Sequence, residues 1–313
     1  MKNILNDFIY LIIMKDLKVW LDGELIQYND AKVPILTHSL QYGSGIFEGI
    51  RAYETDKGTA IFRLDDHINR FFRSAKIYYM DLKYTKDEIK NAIIEVVKKN
   101  NLSNCYIRPF AFYNDDTIGL SPFKKKISVF IAAVPFKEYL TELNGVKCKI
   151  SSWKRINSNI LPVSAKASGN YLNSIIAHLE ARYSGYDEAI LLTDNGSVAE
   201  GPGENIFIVK GNNVISPGLS SDILEGITRD TVMNISRDLG YNVIERDIHK
   251  EELYVSNEVF FSGTAAEITP IVNIDGIRIG DGNPGKITVA IKNRYMDIVH
   301  GKEKSHNNWL TYI

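Results

Sequence analysis

The sequence predicts an α+β protein with two domains. Short strands and amphipathic helices mix along the chain without the strict alternation that builds a parallel α/β sheet. The 313 residues suffice for about two domains of ordinary size. Residues 135–145 are polar and show no hydrophobic period. The predicted division is therefore a first domain over residues 1–135, a connecting loop over 136–145 and a second domain over 146–313.

The first domain begins with a predicted hairpin over residues 17–27. It turns at Asp22-Gly23, a dipeptide that tolerates the type I′ turn. A later helix over 85–100 starts with the capping box of Thr85 and Glu88. The other elements predicted here are a glycine-rich turn at 43–49, a helix over 64–80, and strands over 105–113 and 127–134.

The second domain is also predicted to mix both kinds of element. Glycine follows two of its helices, at Gly185 and Gly240, as is common at a helix end. The predicted strands are 146–151, 188–193, 205–209, 214–216 and 258–262, with a hairpin over 271–279, and the helices are 171–184, 228–239 and 286–299.

Composition excludes several classes of protein. The 37 Lys and Arg nearly balance the 38 Asp and Glu, whereas a nucleic-acid binder usually has a basic excess. The apolar run at 8–14 is shorter than the roughly 20 residues that span a bilayer, and it lacks the flanks of a signal peptide. Two cysteines without a CxxC pair fit a reducing compartment. We therefore expect a cytoplasmic protein that binds neither membrane nor nucleic acid, with residues 1–13 as an extension to the domain.

No complete motif for a metal, serine-nucleophile or dinucleotide site is found in the sequence. The six histidines form no HExxH pattern, so no metal site is predicted. There is no GxSxG nucleophile motif. The GSGIFEG run at 43–49 places its last glycine one residue too late for a dinucleotide fingerprint.

The informative stretch is SAKASGNY at 164–171, where Lys166 lies among small residues. One interpretation is an ordinary lysine in an exposed loop. The other is a Schiff-base lysine, because a desolvated amine loses its proton and small neighbours admit a planar group. Three further motifs suit pyridoxal phosphate, which needs an anion beside its ring nitrogen and free amides for its phosphate. They are EGPGEN at 200–205, LEGITRD at 224–230 and SGTAAE at 262–267.

Taken in order, these stretches resemble the class IV pyridoxal-phosphate aminotransferases, and among them the branched-chain amino-acid aminotransferases. The resemblance covers about residues 19–309. The segments that carry it are YGSGIFEGIRAY (42–53), HINRFFRSAKIY (67–78), YIRP (106–109), SAKASGNYLNS (164–174), EGPGENIF (200–207), LEGITRD (224–230) and EVFFSGTAAEITP (258–270).

The resemblance implies a cofactor site for pyridoxal 5′-phosphate. Lys166 would be the catalytic residue, forming the Schiff base and moving the substrate proton. Glu200 would hold the ring nitrogen protonated and Tyr171 would bind the phenolic oxygen. Arg70 would bind the phosphate. The remaining implied cofactor contacts are Leu224 on the ring face, and Ile227, Thr228 and Thr264 at the phosphate.

The resemblance also implies a substrate site that accepts both leucine and glutamate. Thr264 and Ala265 would receive the α-carboxylate, and Arg108 the distal carboxylate of glutamate. Tyr42 would come from a partner subunit. The other implied lining residues are Phe47, Gly49, Tyr106 and Tyr139.

The implied fold is fold-type IV, with a small N-terminal α/β sandwich and a larger C-terminal pseudo-barrel domain. The implied reaction transfers the amino group between L-leucine, L-isoleucine or L-valine and 2-oxoglutarate by a ping-pong mechanism. A homodimer would be the minimum active unit. The sequence leaves open the preferred branched or aromatic substrate and the assembly of dimers into hexamers. A D-amino-acid transaminase, an aminodeoxychorismate lyase of the same fold and a non-catalytic relative remain as alternatives.

Overall fold

The computed structural model describes residues 16–136 and 144–313. This part of the chain forms two compact units. The first unit contains residues 16–136 together with Ala165–Gly169 and His306–Ile313, and the second contains residues 144–164 and Asn170–Ser305. Each unit combines helices with one extended sheet, which confirms the α+β class.

The sheet of the first unit is built on the long antiparallel pair β6 and β7. Its strands are β1 (Lys18–Leu21), β2 (Glu24–Gln27), β3 (Gly45–Phe47), β4 (Ile50–Thr55), β5 (Gly58–Phe62), β6 (Cys105–Tyr113), β7 (Ile127–Pro135) and a C-terminal strand (Leu310–Tyr312). They lie in the order C-terminal strand, β5, β4, β6, β7, β1, β2, and β3 pairs with β6 at one end.

The predicted hairpin at the start of the domain is confirmed. Leu21 pairs with Glu24, and the two turn residues have positive φ angles, 51° at Asp22 and 104° at Gly23. Both residues therefore adopt the positive φ that a type I′ turn requires. The Asp22 carboxylate also accepts the amide of Val129 at 2.9 Å, which ties the turn to β7.

The prediction of a turn throughout 43–49 is wrong in its middle. Residues Gly45–Phe47 form strand β3, whose Phe47 lies opposite Phe110 on β6. A Cβ on Gly45 would lie 2.6 Å from the Phe110 ring, so glycine permits close strand pairing here rather than a bend. Gly43, with φ 66°, does end the preceding helix.

Two long helices build the core of the first unit. Its helices are α1 (His38–Tyr42), α2 (Leu64–Ile77) and α3 (Lys86–Lys99). The predicted capping box of Thr85 and Glu88 is present at the start of α3. The side chains of the shared core include Ile68 and Phe71 of α2, Ile89, Ile93 and Val96 of α3, and Ile50, Ile61, Ile107 and Ile131 of the sheet.

The second unit contains a mixed sheet with helices packed on it. Its strands are β8 (Val146–Lys154), β9 (Glu188–Leu192), β10 (Asn205–Lys210), β11 (Asn213–Ser216), β12 (Asn242–Glu245), β13 (Glu258–Gly263), β14 (Glu267–Ile274) and β15 (Ile277–Arg278). The order is β12, β11, β10, β13, β14, β8, β9, with β15 on β14. The helices are α4 (Tyr171–Tyr183), α5 (Ile227–Asp238), α6 (Lys250–Val255) and α7 (Lys286–Val299).

Two segments that follow the predicted loop at 136–145 pack within the first unit. Ala167 forms a β-bridge with Ile46 of β3, which brings the lysine segment to that sheet. Leu310 pairs with Phe62, so the C-terminal strand extends the same sheet beyond β5. In the described ranges, no helix is long and apolar enough to cross a membrane.

Candidate active site

The backbone of Lys166 is fixed on two sides within the first unit. Its amide donates to Oγ of Ser74 on α2 at 3.0 Å. Its carbonyl accepts the amide of Phe47 on β3 at 2.9 Å. The lysine therefore lies in a defined position and not in a free loop.

The Lys166 side chain lies against an aromatic ring, with its Nζ 5.0 Å from the ring centroid of Phe47. Burial lowers the pKa of the amine to about 8, the Arg70 guanidinium lowers it too, and the Glu48 carboxylate opposes that shift. A lysine with that pKa is partly unprotonated near neutral pH. Unprotonated amine is the form that attacks a carbonyl carbon.

Arg70 is held by a buried carboxylate that the sequence analysis did not single out. Its Nε donates to Oε1 of Glu48 at 2.7 Å and its Nη2 to Oε2 at 2.8 Å. His67 Nδ1 lies 2.7 Å from the same Oε2. Burial by itself would raise the pKa of Glu48, but Arg70 and His67 outweigh it and hold that pKa well below the usual range. Burial lowers the pKa of His67, with Glu48 opposing.

The GIFEGIR segment contains no feature that marks Glu48 as buried. Polar and apolar residues mix over 48–53, as on many half-exposed strands. In the folded protein the Glu48 side chain is nevertheless 0% exposed, which the local sequence pattern does not predict. We use the term lysine cluster for Lys166, Arg70, Glu48, His67 and Ser74.

Tyr106 and Arg108 lie on one face of β6, as their alternation predicts. Arg108 Nη2 donates to the Tyr106 hydroxyl at 3.0 Å, and its Cζ lies 4.6 Å from the centroid of the Phe47 ring. A Cβ on Gly49 would lie 2.0 Å from the same hydroxyl, so glycine at this position leaves room for the Tyr106 side chain. Phe47, Gly49, Tyr106, Arg108 and Lys166 are thus brought together.

The resemblance assigns two further tyrosines, Tyr42 and Tyr139, to the substrate site. Tyr42 is the last residue of α1, 42% exposed, with its ring 4.6 Å from that of His38. Tyr139 lies outside the described residues. Within the described residues, the Tyr42 ring packs against His38 of its own helix.

In the second unit, Glu200 is the centre of a group that we call the carboxylate cluster: Glu200, Arg155, Asn205 and Leu224. Arg155 Nη2 lies 2.9 Å from Oε1 of Glu200. Asn205 Nδ2 and the Leu224 amide donate to Oε2 at 2.9 and 3.1 Å. Arg155 was not predicted as a site residue, because it lies in the loop after β8, outside every motif. These donors stabilise an ionised Glu200, the form that can hold a proton on a ring nitrogen.

Helix α5 begins with amides that no side chain caps. Its N-cap is Gly226, and Ile227 and Thr228 are the first two helical residues, both buried. Free N–H groups at the start of a helix bind anions such as phosphate. A Cβ on Gly226 would lie 1.9 Å from Oδ1 of Asn205, so this glycine brings the helix start against the carboxylate cluster.

The other predicted contacts of the second unit lie at the ends of elements. Thr264 and Ala265 form the half-buried turn between β13 and β14. Tyr171 is the half-buried first residue of α4. No group of three or more potential metal ligands occurs among residues 16–136 and 144–313.

The fold and these two clusters define a class of protein. The model of the family described as amino-transferase class IV matches residues 45–274, and the chain belongs to that family. Three relatives illustrate it. A curated relative, the branched-chain-amino-acid aminotransferase of Pseudomonas aeruginosa, is 44% identical over 96% of this chain and 98% of its own.

Two solved structures are similar over almost the whole chain. The branched-chain aminotransferase of Thermoproteus uzoniensis with norvaline is 49% identical, with a TM-score of 0.91 over 94% of this chain and 98% of that one. The branched-chain amino acid aminotransferase of Thermobaculum terrenum, in its PLP form, is 36% identical, with a TM-score of 0.90 over 95% of this chain and 98% of that one. These likenesses confirm the family and the fold-type IV architecture expected from the sequence.

Proposed function

We propose that this chain is a pyridoxal-phosphate-dependent transaminase that exchanges the amino group between L-branched-chain amino acids and 2-oxoglutarate. One observation carries the proposal. The Lys166 amine, whose pKa is lowered, lies against the Phe47 ring, and the Arg108 guanidinium lies against the same ring. The names and ligands of the relatives support it.

The residues present fit the cofactor. The carboxylate cluster presents an ionised Glu200 that suits a ring nitrogen, with Leu224 joined to it. The uncapped start of α5 at Ile227 and Thr228 suits a phosphate, and Thr264 would add a hydroxyl. Arg70 would complete the phosphate contacts, because the planar fork of a guanidinium suits a phosphate group. Tyr171 would bind the phenolic oxygen.

When bound, pyridoxal phosphate supplies a conjugated ring that takes up the electron pair released at the substrate's Cα. Lys166 is the base in our proposal, because its amine is partly unprotonated near neutral pH. It would take the proton from Cα of the substrate and deliver it to C4′ of the cofactor. Glu200 keeps the ring nitrogen protonated, and Arg155 and Asn205 hold Glu200 in place.

The residues proposed to line the substrate site explain how one site can bind both an apolar and an acidic amino acid. Phe47 and Tyr106 present an aromatic surface, and glycine at position 49 makes room for the Tyr106 hydroxyl. Arg108 would bind the distal carboxylate of glutamate. With an aliphatic substrate its guanidinium stays against Phe47 and the Tyr106 hydroxyl. Thr264 and Ala265 would receive the α-carboxylate, and Tyr139 would add to the side-chain site.

The test is the visible absorption spectrum of the purified chain, with Lys166→Ala as the comparison. We expect a cofactor band that L-leucine bleaches, that 2-oxoglutarate restores and that the variant lacks. A band that responds to D-alanine and ignores L-leucine would favour a D-specific transaminase instead. The absence of any band after pyridoxal phosphate is added would refute the proposal. Steady-state kinetics should give parallel double-reciprocal lines, and intersecting lines would contradict the ping-pong order.

We further propose that the active unit is a homodimer in which Tyr42 serves the partner's site. Around α1 several large apolar side chains are exposed, and clustered exposed apolar residues often mark an interaction surface. Ile35 is 82% exposed and Leu40 65%, and Leu120, 80% exposed, is joined to α1 through the His38 ring. A second copy would cover this surface.

A mixing experiment tests this arrangement. Lys166→Ala and Tyr42→Ala homodimers are combined under conditions that exchange subunits. If Tyr42 crosses to the partner, each mixed dimer holds one intact site and activity returns. If Tyr42 serves its own chain, mixing restores nothing and the proposal fails. Sedimentation of the unmixed protein distinguishes dimers from hexamers.

We also propose a cytoplasmic location. Cys105 and Cys148 are both free and buried thiols, a state that a reducing compartment preserves. Cell fractionation with an antibody against the chain tests this, and recovery outside the cytoplasm would overturn it.

A further inference from the structure

Helix α2 carries a line of polar side chains on its buried face. His67, Arg70 and Ser74 follow the three- and four-residue spacing of one helix face, and their exposed fractions are 2%, 4% and 0%. Burying such groups costs free energy unless each finds a partner. Ser74 bonds to the Lys166 amide, and His67 and Arg70 both bond to Glu48.

The Glu48 carboxylate therefore joins the line at its centre. It accepts two bonds from Arg70, one from His67 Nδ1 and a longer one, at 3.3 Å, from the Gly49 amide. An ionised carboxylate only accepts hydrogen bonds, so His67 must carry its proton on Nδ1. Planar bidentate pairing with Arg70 fixes the direction of the guanidinium.

We propose that Glu48 is a positioning residue that orients Arg70 and sets the charge next to Lys166, and that His67 holds Glu48 in turn. The proposal rests on the proposed function, in which Arg70 and Lys166 contact the cofactor. Glu48 itself contacts neither cofactor nor substrate in this assignment.

The charges around Lys166 predict the sign of each effect. The groups that face it are Arg70 and His67 of α2, Glu48 before β4, and Tyr106 and Arg108 of β6. Arg70 lowers the pKa of Lys166 by more than Glu48 raises it. Glu48→Gln should therefore lower the Lys166 pKa further and Arg70→Gln should raise it. The double variant, which lacks both charges, should lie above the wild type.

Competitive acylation of lysines across a pH series, read by peptide mass spectrometry, measures the Lys166 pKa in the full chain after cofactor removal. We expect a shift of about one pH unit downward for Glu48→Gln and upward for Arg70→Gln. Asp66→Asn is the matched control, since it removes a carboxylate that is 46% exposed on the same helix, and it should leave the profile unchanged. Shifts of the same sign in the two variants, or none, would overturn the charge role.

Glu48→Asp separates position from charge, because it keeps the carboxylate but shortens its reach by one methylene. We expect the Lys166 profile to stay near the wild type while the dissociation constant for pyridoxal phosphate rises about tenfold, as for the loss of one well-aligned hydrogen bond. Wild-type affinity in this variant would overturn the orienting role. If Glu48→Gln does not fold, the double variant with Arg70→Gln still tests the sign.

His67 is tested by replacing its donor in kind. His67→Asn places an amide N–H near the Nδ1 position, whereas His67→Leu removes the donor. We expect Asn to retain cofactor affinity and Leu to weaken it, and equal effects would overturn the role of His67.

The lysine-labelling experiment needs no turnover, so it tests the role of Glu48 separately from the proposed transaminase function. The predicted shifts in a chain that transaminates nothing would refute the function and leave the role of Glu48 standing.

Discussion

The Nζ of Lys166 lies 5.0 Å from the centre of the Phe47 ring. The guanidinium carbon of Arg108 lies 4.6 Å from the centre of the same ring. Phe47 thus contacts both the amine that we assign to catalysis and the cation that we assign to substrate selection. It pairs with Phe110 of β6, so its position depends on the strand that carries Arg108. One ring therefore couples the geometry of the two functions.

Arg108→Gln should separate the two substrates. We expect the KM for 2-oxoglutarate to rise about 10- to 100-fold, because a charge-assisted hydrogen bond to a carboxylate is worth about 1.5–3 kcal/mol. The single-turnover reaction with L-leucine should change less than about threefold, since an aliphatic side chain makes no such bond. Arg182→Gln, at a 54% exposed arginine, is the control. An equal loss with both substrates would show that Arg108 has another role.

The pH at which Lys166 becomes reactive follows from its lowered pKa. In the cofactor-free chain, the rate at which pyridoxal phosphate becomes attached should rise with pH and level off above about 8. Below that pH the ammonium form dominates and cannot attack. Stopped-flow absorbance measures the rate. A profile that continues to rise toward the ordinary lysine pKa near 10.5 would contradict the burial that the structure shows.

We expect Gly226→Ala to lower activity by displacing the side chain of Asn205. Its φ of −73° suits alanine, but the added Cβ would lie 1.9 Å from Asn205 Oδ1 and displace that amide from Glu200. We expect about a tenfold loss of kcat/KM, the effect of one lost hydrogen bond to a charged group, with a similar loss in Asn205→Ala. The losses should not add in the double variant, because they share one partner.

Gly218→Ala provides the matched control for this pair. Gly218 also has φ −73° and precedes a short 3-10 helix (Leu219–Ser221), and its added Cβ would meet nothing closer than 3.6 Å. Activity close to that of the wild type is expected. Additive losses in the double variant of Gly226 and Asn205 would disprove their coupling.

Glu204→Gln should stabilise the chain at alkaline pH. Burial, and then the charge of Glu188, raise the pKa of Glu204, which is 5% exposed. A carboxyl with a raised folded pKa contributes its stability below the ordinary carboxyl pKa and loses it as pH rises through the raised value. The variant avoids that loss, by about 1 kcal/mol.

Urea unfolding at mildly acidic and mildly alkaline pH measures this difference. The two proteins should approach one another in acid and differ in alkali. Glu251→Gln, at an exposed carboxylate, is the control and should follow the wild type at both. A variant less stable than the wild type in alkali would show that Glu204 is needed in its charged form.

Local patterns in the sequence determined much of the fold. Asp22-Gly23 specified the hairpin, and Thr85 with Glu88 specified the start of α3, because turns and caps depend on residues a few positions apart. The alternation along 105–113 placed Tyr106 and Arg108 on one face for the same reason. The predicted boundary at 136–145 did not account for residues 165–169, which belong to the first unit. The β-bridge between Ile46 and Ala167 joins residues far apart in the chain, so it leaves no local signal in the sequence.

The motif around Lys166 and its ordered neighbours sufficed to indicate the family, because the small residues and the lysine occur side by side in the chain. The partners that tune the site were decided only by the tertiary structure. Glu48 meets Arg70 across 22 positions, and Arg155 meets Glu200 from a still more distant part of the chain, and neither pair has a sequence spacing that predicts contact. A charge next to a buried amine depends on distance in space, and that distance exists only after helix α2 and strand β3 have packed around Lys166.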